Sequence, residues 1–226
     1  MEAVESLAVR AGIGQGSRVL DLGSGFGGPA RYLAWRFGCR VIGVDIHPAR
    51  CATARRLSRL VGLDHLVSFV TADLASADLP DGEFTACISQ EGLAHVAHKN
   101  GLLRRCAEAL APEGRIVFTD WVRGEALTAE EAAELRSGFS MTALESVEGY
   151  RALLDGAGFT SIEVEDMSEQ WSPMVHLNRD RLREHRDQLV GRLGQERYAE
   201  AERLYCLFAD LVGKGALRGA RFAACR

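Results

Sequence analysis

The sequence predicts an α/β fold in which a parallel β-sheet carries helices on both of its faces. Short apolar segments alternate with helical segments from residue 18 to residue 121, an order typical of parallel sheets. The segment RVIGVD at residues 40–45 is almost wholly apolar, as expected of a strand buried on both faces. A glycine-dense turn at residues 23–28 joins the first strand to a helix, so its backbone can approach a ligand closely.

Apolar runs bounded by turn residues predict strands at 18–22, 40–45, 65–70, 84–89, 115–121, 161–167 and 220–225. Helical spacing, with prolines at helix starts and glycines at helix ends, predicts helices at 2–11, 29–37, 48–61, 98–110, 128–137, 147–156, 176–193 and 195–213. The sequences LPDG and AGF predict turns at 79–82 and 157–159.

We expect one domain over residues 1–226. Its cofactor-binding core is expected at 12–122, with helical insertions on the substrate side at 123–157 and 168–215. The long helices within 176–213 lie between two strands, so they are expected to cap the carboxyl edge of the sheet, where such folds bind ligands.

Composition excludes several classes of function. The chain has 226 residues, 47% hydrophobic and 26% charged, with a net charge of −4, which argues against a broad basic surface for nucleic acid. No apolar run approaches a membrane span, and the N-terminus lacks the layout of a secretory signal. We therefore expect a cytoplasmic protein without nucleic-acid or membrane partners, either a monomer or a homodimer.

The six cysteines are scattered and form no C-x-x-C pair. This spacing predicts neither disulfides nor a zinc site, and we expect no metal.

The glycine loop is compatible with two ligands. Gly23-x-Gly25-x-x-Gly28 matches the dinucleotide fingerprint, with Asp45 at a suitable distance to bind a ribose. Gly23-x-Gly25-x-Gly27 matches the S-adenosylmethionine pattern equally well. A lone glycine motif is weak evidence, because fold does not fix function.

Three acids favour the second ligand. Asp21, Asp45 and Asp73 each end one of three successive predicted strands. A carboxylate at Asp21 would repel a pyrophosphate, whereas S-adenosylmethionine carries an ammonium and a sulfonium, which favour nearby acids. The acids at the three strand ends therefore predict a pocket for a cationic nucleoside.

The chain resembles the class I S-adenosylmethionine-dependent methyltransferases over essentially its whole length. The resemblance rests on the segments VLDLGSGFGG, VIGVD, TADL, FTACISQE and LAPEGRIVFTD. In finer detail, GFGGPARYLA, SQEGLAH and FTDW resemble the glycine/sarcosine/dimethylglycine N-methyltransferases, and they are also similar to small-molecule methyltransferases of natural-product pathways. The resemblance implies a doubly wound, Rossmann-like sheet of seven strands whose last strand is antiparallel.

It also implies S-adenosylmethionine as cofactor, S-adenosylhomocysteine as product and a small-molecule acceptor. Asp45 would bind the ribose, Ile46 would pack on adenine, and Asp73 with Leu74 would hold the adenine edge. Gln90 would face the methionine end of the cofactor. The glycine loop would run alongside the methionine part, and an arginine would reach the methionine carboxylate. The expected cofactor-binding residues are Asp21, Gly23, Ser24, Gly25, Arg31, Asp45, Ile46, Asp73, Leu74 and Gln90.

Two residues are candidates for catalysis. His95 follows the fourth predicted strand and is either a base or a packing residue, while Asp120 ends the fifth and either faces the substrate or caps a turn. Sugar O-methyltransferases, which the chain also resembles, commonly carry paired histidines where this chain has Ala94-His95. The missing partner favours amine methylation, because an alcohol usually needs a general base.

Four further residues are candidates for substrate contact: Glu91, Trp121, Trp171 and His176. Trp121 could supply a cation–π surface for a methylated ammonium, and core packing is its alternative. Glu91 could instead start a helix, and Trp171 and His176 could have surface or core roles.

The sequence thus predicts methyl transfer to a small amine or amino acid nitrogen. The alternative within the class is a hydroxyl of a sugar or secondary metabolite. Outside the class, a NAD-dependent oxidoreductase and a non-catalytic nucleoside binder remain open.

Overall fold

The computed structural model describes residues 2–80 and 83–226; the predicted turn at 79–82 therefore lies partly outside the described residues. The strands are β1 (Arg18–Leu22), β2 (Arg40–Asp45), β3 (Val67–Thr71), β4 (Phe84–Gln90), β5 (Leu110–Arg123), β6 (Thr160–Asp166) and β7 (Leu217–Cys225). The helices are α1 (Glu2–Arg10), α2 (Gly28–Phe37), α3 (Pro48–Leu60), α4 (Lys99–Ala109), α5 (Ala129–Phe139), α6 (Val147–Gly156), α7 (Ser168–Glu184), α8 (Arg186–Leu193) and α9 (Gln195–Gly213).

All seven strands join one sheet in the order β3-β2-β1-β4-β5-β7-β6. β1 to β5 are parallel, and β7 is antiparallel to both of its neighbours. This confirms the expected mostly parallel sheet with an antiparallel last strand. The strand order reverses between β1 and β4, and a crevice outside the carboxyl ends of strands at such a point is where open α/β sheets bind ligands.

Buried side chains cover both faces of the sheet. One cluster packs α4 and α6 against the sheet around Phe118 and Phe222, and the other packs α1 to α3 around Val19 and Val41. A third cluster lies beneath α7 and α9 and includes Trp121. The helices α7 to α9, here called the cap, thus have a core of their own next to the carboxyl edge.

Two predicted boundaries are wrong. The helix predicted at 176–193 is two helices: α7 already begins at Ser168 and contains Pro173, and the chain bends at His185 before α8. Pro173 is the sixth residue of α7 and has no N–H to donate to the carbonyl of Glu169, so the helix runs through it with one backbone hydrogen bond fewer. β5 is also longer than predicted and runs from Leu110 to Arg123; β7 pairs with its last part, from Arg115 to Arg123.

Within the described ranges, every helix is too short or too polar to cross a lipid bilayer. The same residues include no group of three His, Cys, Asp or Glu side chains that could hold a metal ion.

The end of β5 leaves no space for a side chain. A Cβ added to Gly124 would lie 2.0 Å from the carbonyl oxygen of Gly215, a backbone atom that cannot rotate away. We expect Gly124→Ala to lower the free energy of unfolding by about 1–3 kcal/mol, measured by urea denaturation.

Gly191→Ala is the matched control, because a Cβ there meets nothing within 4 Å in the middle of α8. It should be neutral or stabilise by up to about 1 kcal/mol. Equal effects of the two substitutions would contradict this account of Gly124.

Candidate active site

The glycine loop is attached to the end of β2. The backbone N–H groups of Gly23 and Ser24 both donate to the carbonyl of Val44, at 2.8 and 3.0 Å. Gly25 has a φ of +54°, a conformation that side chains disfavour. The loop therefore lies across the switch point with its backbone exposed to a ligand.

Asp45 fixes the geometry of this region. Its Oδ2 accepts from the N–H of Gly25 at 2.9 Å, and its Oδ1 accepts from the N–H of His47 at 2.8 Å. Only 5% of the residue is exposed. Each carboxylate oxygen has a second lone pair, so both keep one acceptor position for a ligand diol.

Asp21 and Ser24 are buried beside Asp45. Among the residues the structure describes, Oδ2 of Asp21 and Oγ of Ser24 have no hydrogen-bond partner. Burial, and secondarily the charge of Asp45, raises the pKa of Asp21 to about 7. Buried polar atoms without partners are uncommon in proteins, and here they fit a ligand with cationic and hydroxyl groups.

The other residues predicted to bind the cofactor differ in how far their side chains are exposed. Asp73 is exposed and its Oδ1 accepts from the N–H of Ala75 at 2.8 Å, whereas the side chain of Leu74 lies in the core. Ile46 keeps an exposed fraction of 55%, as expected of a residue that packs on a ligand. With its side chain in the core, Leu74 could hold the adenine edge through its backbone, and its role stays a prediction.

Two polar residues flank the loop. The Nη1 of Arg31 donates to the carbonyl of Phe26 at 2.7 Å, so this guanidinium is anchored at the glycine loop. Gln90 is the last residue of β4 and is half-buried. Both lie at the carboxyl edge, at the end where the methionine part was expected.

A cavity of about 240 Å³ lies next to this region, between the ends of β4 and β5 and helices α5, α7 and α9. Its walls are largely aromatic and apolar, with a few polar groups. They consist of Glu91, His95, Trp121, Phe139, Met141, Met174, Val175, Asn178, Tyr205 and Phe208.

Glu91 is held in an unusual backbone conformation in this cavity. It has a φ of +53°, and its N–H donates to the carbonyl of Thr119 at 2.8 Å. Its Oε2 accepts from Nε1 of Trp121 at 3.3 Å, and burial raises the pKa of its carboxyl. Left-handed non-glycine residues cluster at functional sites. Glu91 does not start a helix, because the next helical turn begins at Leu93.

His95 lies on that 3₁₀ turn, and its ring orientation is set by a main-chain contact. Nδ1 is 2.9 Å from the carbonyl oxygen of Ser140, an acceptor only, so the proton is on Nδ1. Nε2 therefore carries the free lone pair of the imidazole. The ring lines the cavity, where that lone pair could accept a proton.

A buried lysine clamps the segment that holds His95. Nζ of Lys99 donates to the carbonyls of Val96 and Ala143, and the N–H of Ala143 donates to the carbonyl of Ala94. Oγ1 of Thr142 donates to the carbonyl of His95 at 2.8 Å. These bonds tie residues 140–143 to the 3₁₀ turn, so His95 and one cavity wall are positioned together.

The expectation that Asp120 ends β5 and faces the substrate is wrong. The strand continues to Arg123, and Asp120 is fully buried on the opposite face from Trp121, where its Oδ2 accepts from the hydroxyl of Tyr150 at 2.5 Å. Burial raises the pKa of Asp120 to about 7. Successive strand residues alternate between faces, so only one of Asp120 and Trp121 could reach the cavity.

Trp171 and His176 do not line the cavity. Trp171 packs edge-on against Trp121, at 4.7 Å between ring centroids, and thus supports the wall from behind. His176 is half-buried on α7.

Sequence reasoning missed most of the cavity wall. Phe139, Met141, Met174, Val175, Asn178, Tyr205 and Phe208 come from three separate helices and the segment after α5. The sequence carried no signal for this wall, because no spacing rule connects residues so far apart in the chain.

Known proteins share both the sequence and the fold. Residues 20–118 match the family model described as a methyltransferase domain. The chain is 30% identical to methyltransferase GfsG of Streptomyces halstedii, over 93% of this chain and 76% of that protein. It is also 30% identical to a glycine/sarcosine/dimethylglycine N-methyltransferase of Actinopolyspora halophila, over 85% of this chain and 34% of that one.

The fold matches phosphoethanolamine N-methyltransferase 2 of Haemonchus contortus, solved in complex with S-adenosyl-L-methionine, with a TM-score of 0.88. That match has 24% identity and covers 100% of this chain and 52% of the other.

The chain therefore belongs to the S-adenosylmethionine-dependent methyltransferases. This membership decides between the two glycine-loop interpretations, and the dinucleotide fingerprint is coincidental. The chain spans 34% of the Actinopolyspora relative and 40% of phosphoethanolamine N-methyltransferase 1 of Arabidopsis thaliana.

Removing the Asp45 carboxylate should weaken cofactor binding. Asp45→Ala deletes the acceptor of two backbone N–H groups and the two acceptor positions available to a ribose diol. Since a hydrogen bond to a charged group contributes about 1.5–3 kcal/mol, S-adenosylhomocysteine should bind about 10–100-fold more weakly by calorimetry.

Asp64→Ala is the control, an exposed acid just before β3 at the opposite edge of the sheet. Unchanged affinity in the Asp45 variant would refute its role in binding.

The elevated pKa of Asp21 predicts pH-dependent binding. A cationic ligand favours the ionised carboxylate, so binding lowers the pKa of Asp21 from about 7 and releases a proton. Affinity for S-adenosylmethionine should rise with pH up to about 7 and level off above, losing up to about tenfold for each unit below. Calorimetry from about pH 5.5 to about pH 8.5 measures this, and Asp21→Asn should flatten the profile. A slope that persists in that variant would assign the titration to another group.

Proposed function

We propose that this protein transfers a methyl group from S-adenosylmethionine to the nitrogen of a small amine. Two relatives reported above are named as N-methyltransferases of small amines, glycine derivatives in one case and phosphoethanolamine in the other. In this proposal residues 12–122 form the cofactor-binding core, and the helices on either side of β6 supply the acceptor side.

The observation that best supports this proposal is the contact between the glycine loop and the turn that leads into the aromatic cavity. The Cα of Gly92 lies 3.4 Å from where a Cβ of Gly23 would be, so the glycine loop and the turn after β4 touch. Glu91, a cavity residue, directly precedes Gly92. A cofactor held at the loop would therefore be adjacent to an acceptor in the cavity.

When bound, S-adenosylmethionine supplies an electrophilic methyl group on a sulfonium. The protein's task is then to align the nucleophile, exclude water and manage one proton. Asp45 and the loop backbone would bind and orient the cofactor, and the aromatic walls would keep water from the acceptor.

Glu91 suits an amine acceptor. An amine must arrive without its proton to be a nucleophile, and the raised pKa of the Glu91 carboxyl allows it to take that proton up. Trp121 holds one carboxyl oxygen, so the orientation of the acid is fixed. The indole face would also attract the ammonium of the methylated product.

Methylation of a hydroxyl is the second candidate, and a specific observation favours it. Nδ1 of His95 donates its proton in a hydrogen bond to the carbonyl of Ser140, which leaves the lone pair of Nε2 free. A general base has this arrangement. An alcohol usually requires such a base during methyl transfer, whereas an amine that has already given up its proton does not.

The proposal includes a cytoplasmic location. It also includes a monomeric or homodimeric protein that does not bind nucleic acid. All six cysteines are free thiols, which suits a reducing compartment.

His95→Ala distinguishes the two acceptors. For an amine, kcat/KM should fall less than about tenfold, whereas loss of a general base would lower kcat with a hydroxyl acceptor by about 10²–10⁴-fold. Methyl transfer from labelled S-adenosylmethionine to panels of amines and alcohols measures both, with His98→Ala as the control on the adjacent exposed loop.

Strong loss of kcat with unchanged affinity for S-adenosylhomocysteine would establish the hydroxyl reaction instead. Binding of S-adenosylhomocysteine without transfer to any acceptor would indicate a non-catalytic binder.

A further inference from the structure

The acceptor cavity contains one carboxyl group and, apart from the imidazole of His95, no basic side chain among the residues described. Glu91 is its acid, and among the described residues that line it there is no arginine or lysine. The aromatic walls pack against one another, with Trp121 and Phe208 at 4.9 Å and Phe139 and Phe208 at 5.0 Å between ring centroids. The inner surface is therefore apolar and negative.

Three arginines of the neighbouring cap helices form ion pairs with acids outside the cavity. Arg179 on α7 pairs with Asp180 at 2.8 Å, and Arg183 pairs with Glu202 on α9 at 3.1 Å. Arg203 on α9 pairs with Glu200 and Glu134. None of these three guanidinium groups lines the cavity.

We propose that the acceptor is an amine on an apolar body that carries neither a carboxylate nor a phosphate. This inference rests on the proposed function. A buried anion without a counter-charge costs several kcal/mol, and next to Glu91 it would also be repelled. An ammonium or amine there gains both the Glu91 carboxylate and the aromatic faces.

The shape of the cavity supports the apolar body. Met174 and Tyr205, on α7 and α9, are 43% and 38% exposed, so the cavity opens to the surface between these helices. A body larger than about 240 Å³ can extend through that opening. Met141 and Met174 are flexible, polarizable side chains that adapt to irregular apolar groups.

This acceptor differs in class from those named for the relatives above, since glycine derivatives carry a carboxylate and phosphoethanolamine carries a phosphate. The observations behind this inference come from the residues that line the cavity of this chain. The inference therefore concerns the cavity residues of this chain alone.

Matched pairs of ligands test the inference. The pairs are phenethylamine with phenylalanine and tryptamine with tryptophan, each differing only by a carboxylate. Binding to the full chain is measured by calorimetry with and without S-adenosylhomocysteine. We expect each amine to bind at least about tenfold more tightly than its amino acid, and neither sarcosine nor phosphoethanolamine to be methylated.

Two variants identify the residues responsible. Asn178→Arg places a cation in the cavity wall and should reduce the preference for the amine by about tenfold or more. Asn100→Arg, on the exposed face of α4 and outside the cavity, is its control and should leave the preference unchanged. Glu91→Gln should weaken amine binding while improving binding of the amino acid.

Equal or tighter binding of the amino acids would overturn the inference, as would methylation of sarcosine or phosphoethanolamine, or failure of both members of each pair to bind. Failure of the proposed function gives a different result: S-adenosylhomocysteine would not bind, or no acceptor would be methylated, whatever the preference between paired ligands.

Discussion

The two hydrogen bonds accepted by Asp45 determine the geometry on which the rest of the site depends. One carboxyl oxygen holds the glycine loop after β1, and the other holds the turn after β2. Two strands that are neighbours in the sheet are thereby joined at their carboxyl ends through a single side chain. Together with the bonds from Gly23 and Ser24 to Val44, this fixes a loop whose glycines would otherwise make it mobile.

This arrangement costs free energy in the unliganded protein, because Asp21 is buried close to Asp45 with one carboxyl oxygen unpartnered among the described residues. The protein responds by keeping a proton on Asp21 until the pH approaches 7. A cationic ligand removes part of the cost, since its charge stabilises the ionised form of the buried Asp21 carboxyl. The same acids that destabilise the empty loop thus give it affinity for a sulfonium nucleoside.

The acceptor side is built on a second constraint, the clamp of Lys99. Its buried ammonium holds carbonyls from the turn before α4 and from the segment after α5. His95 and Met141 are therefore fixed relative to each other although they belong to different parts of the chain. Trp121, held by Glu91 and supported by Trp171, completes the wall on the other side. The charge and shape of the acceptor cavity thus depend on contacts between parts of the chain that are distant in sequence.

Local sequence patterns predicted the sheet, the glycine loop and the acids at the strand ends: apolar strands, turn glycines and acids at or next to the end of a strand. Asp21 and Asp45 were found because parallel strands bring their carboxyl ends to one edge. The faces of β5 that carry Asp120 and Trp121 became known only from the structure, since alternation along a strand separates the two residues but does not say which helices cover each face. It also decided the cavity wall, whose residues come from α5, α7 and α9 and meet only when the cap packs on the sheet. No local sequence pattern encodes a contact between helices that are tens of residues apart. The residues that line the acceptor cavity could therefore be identified only in the structure.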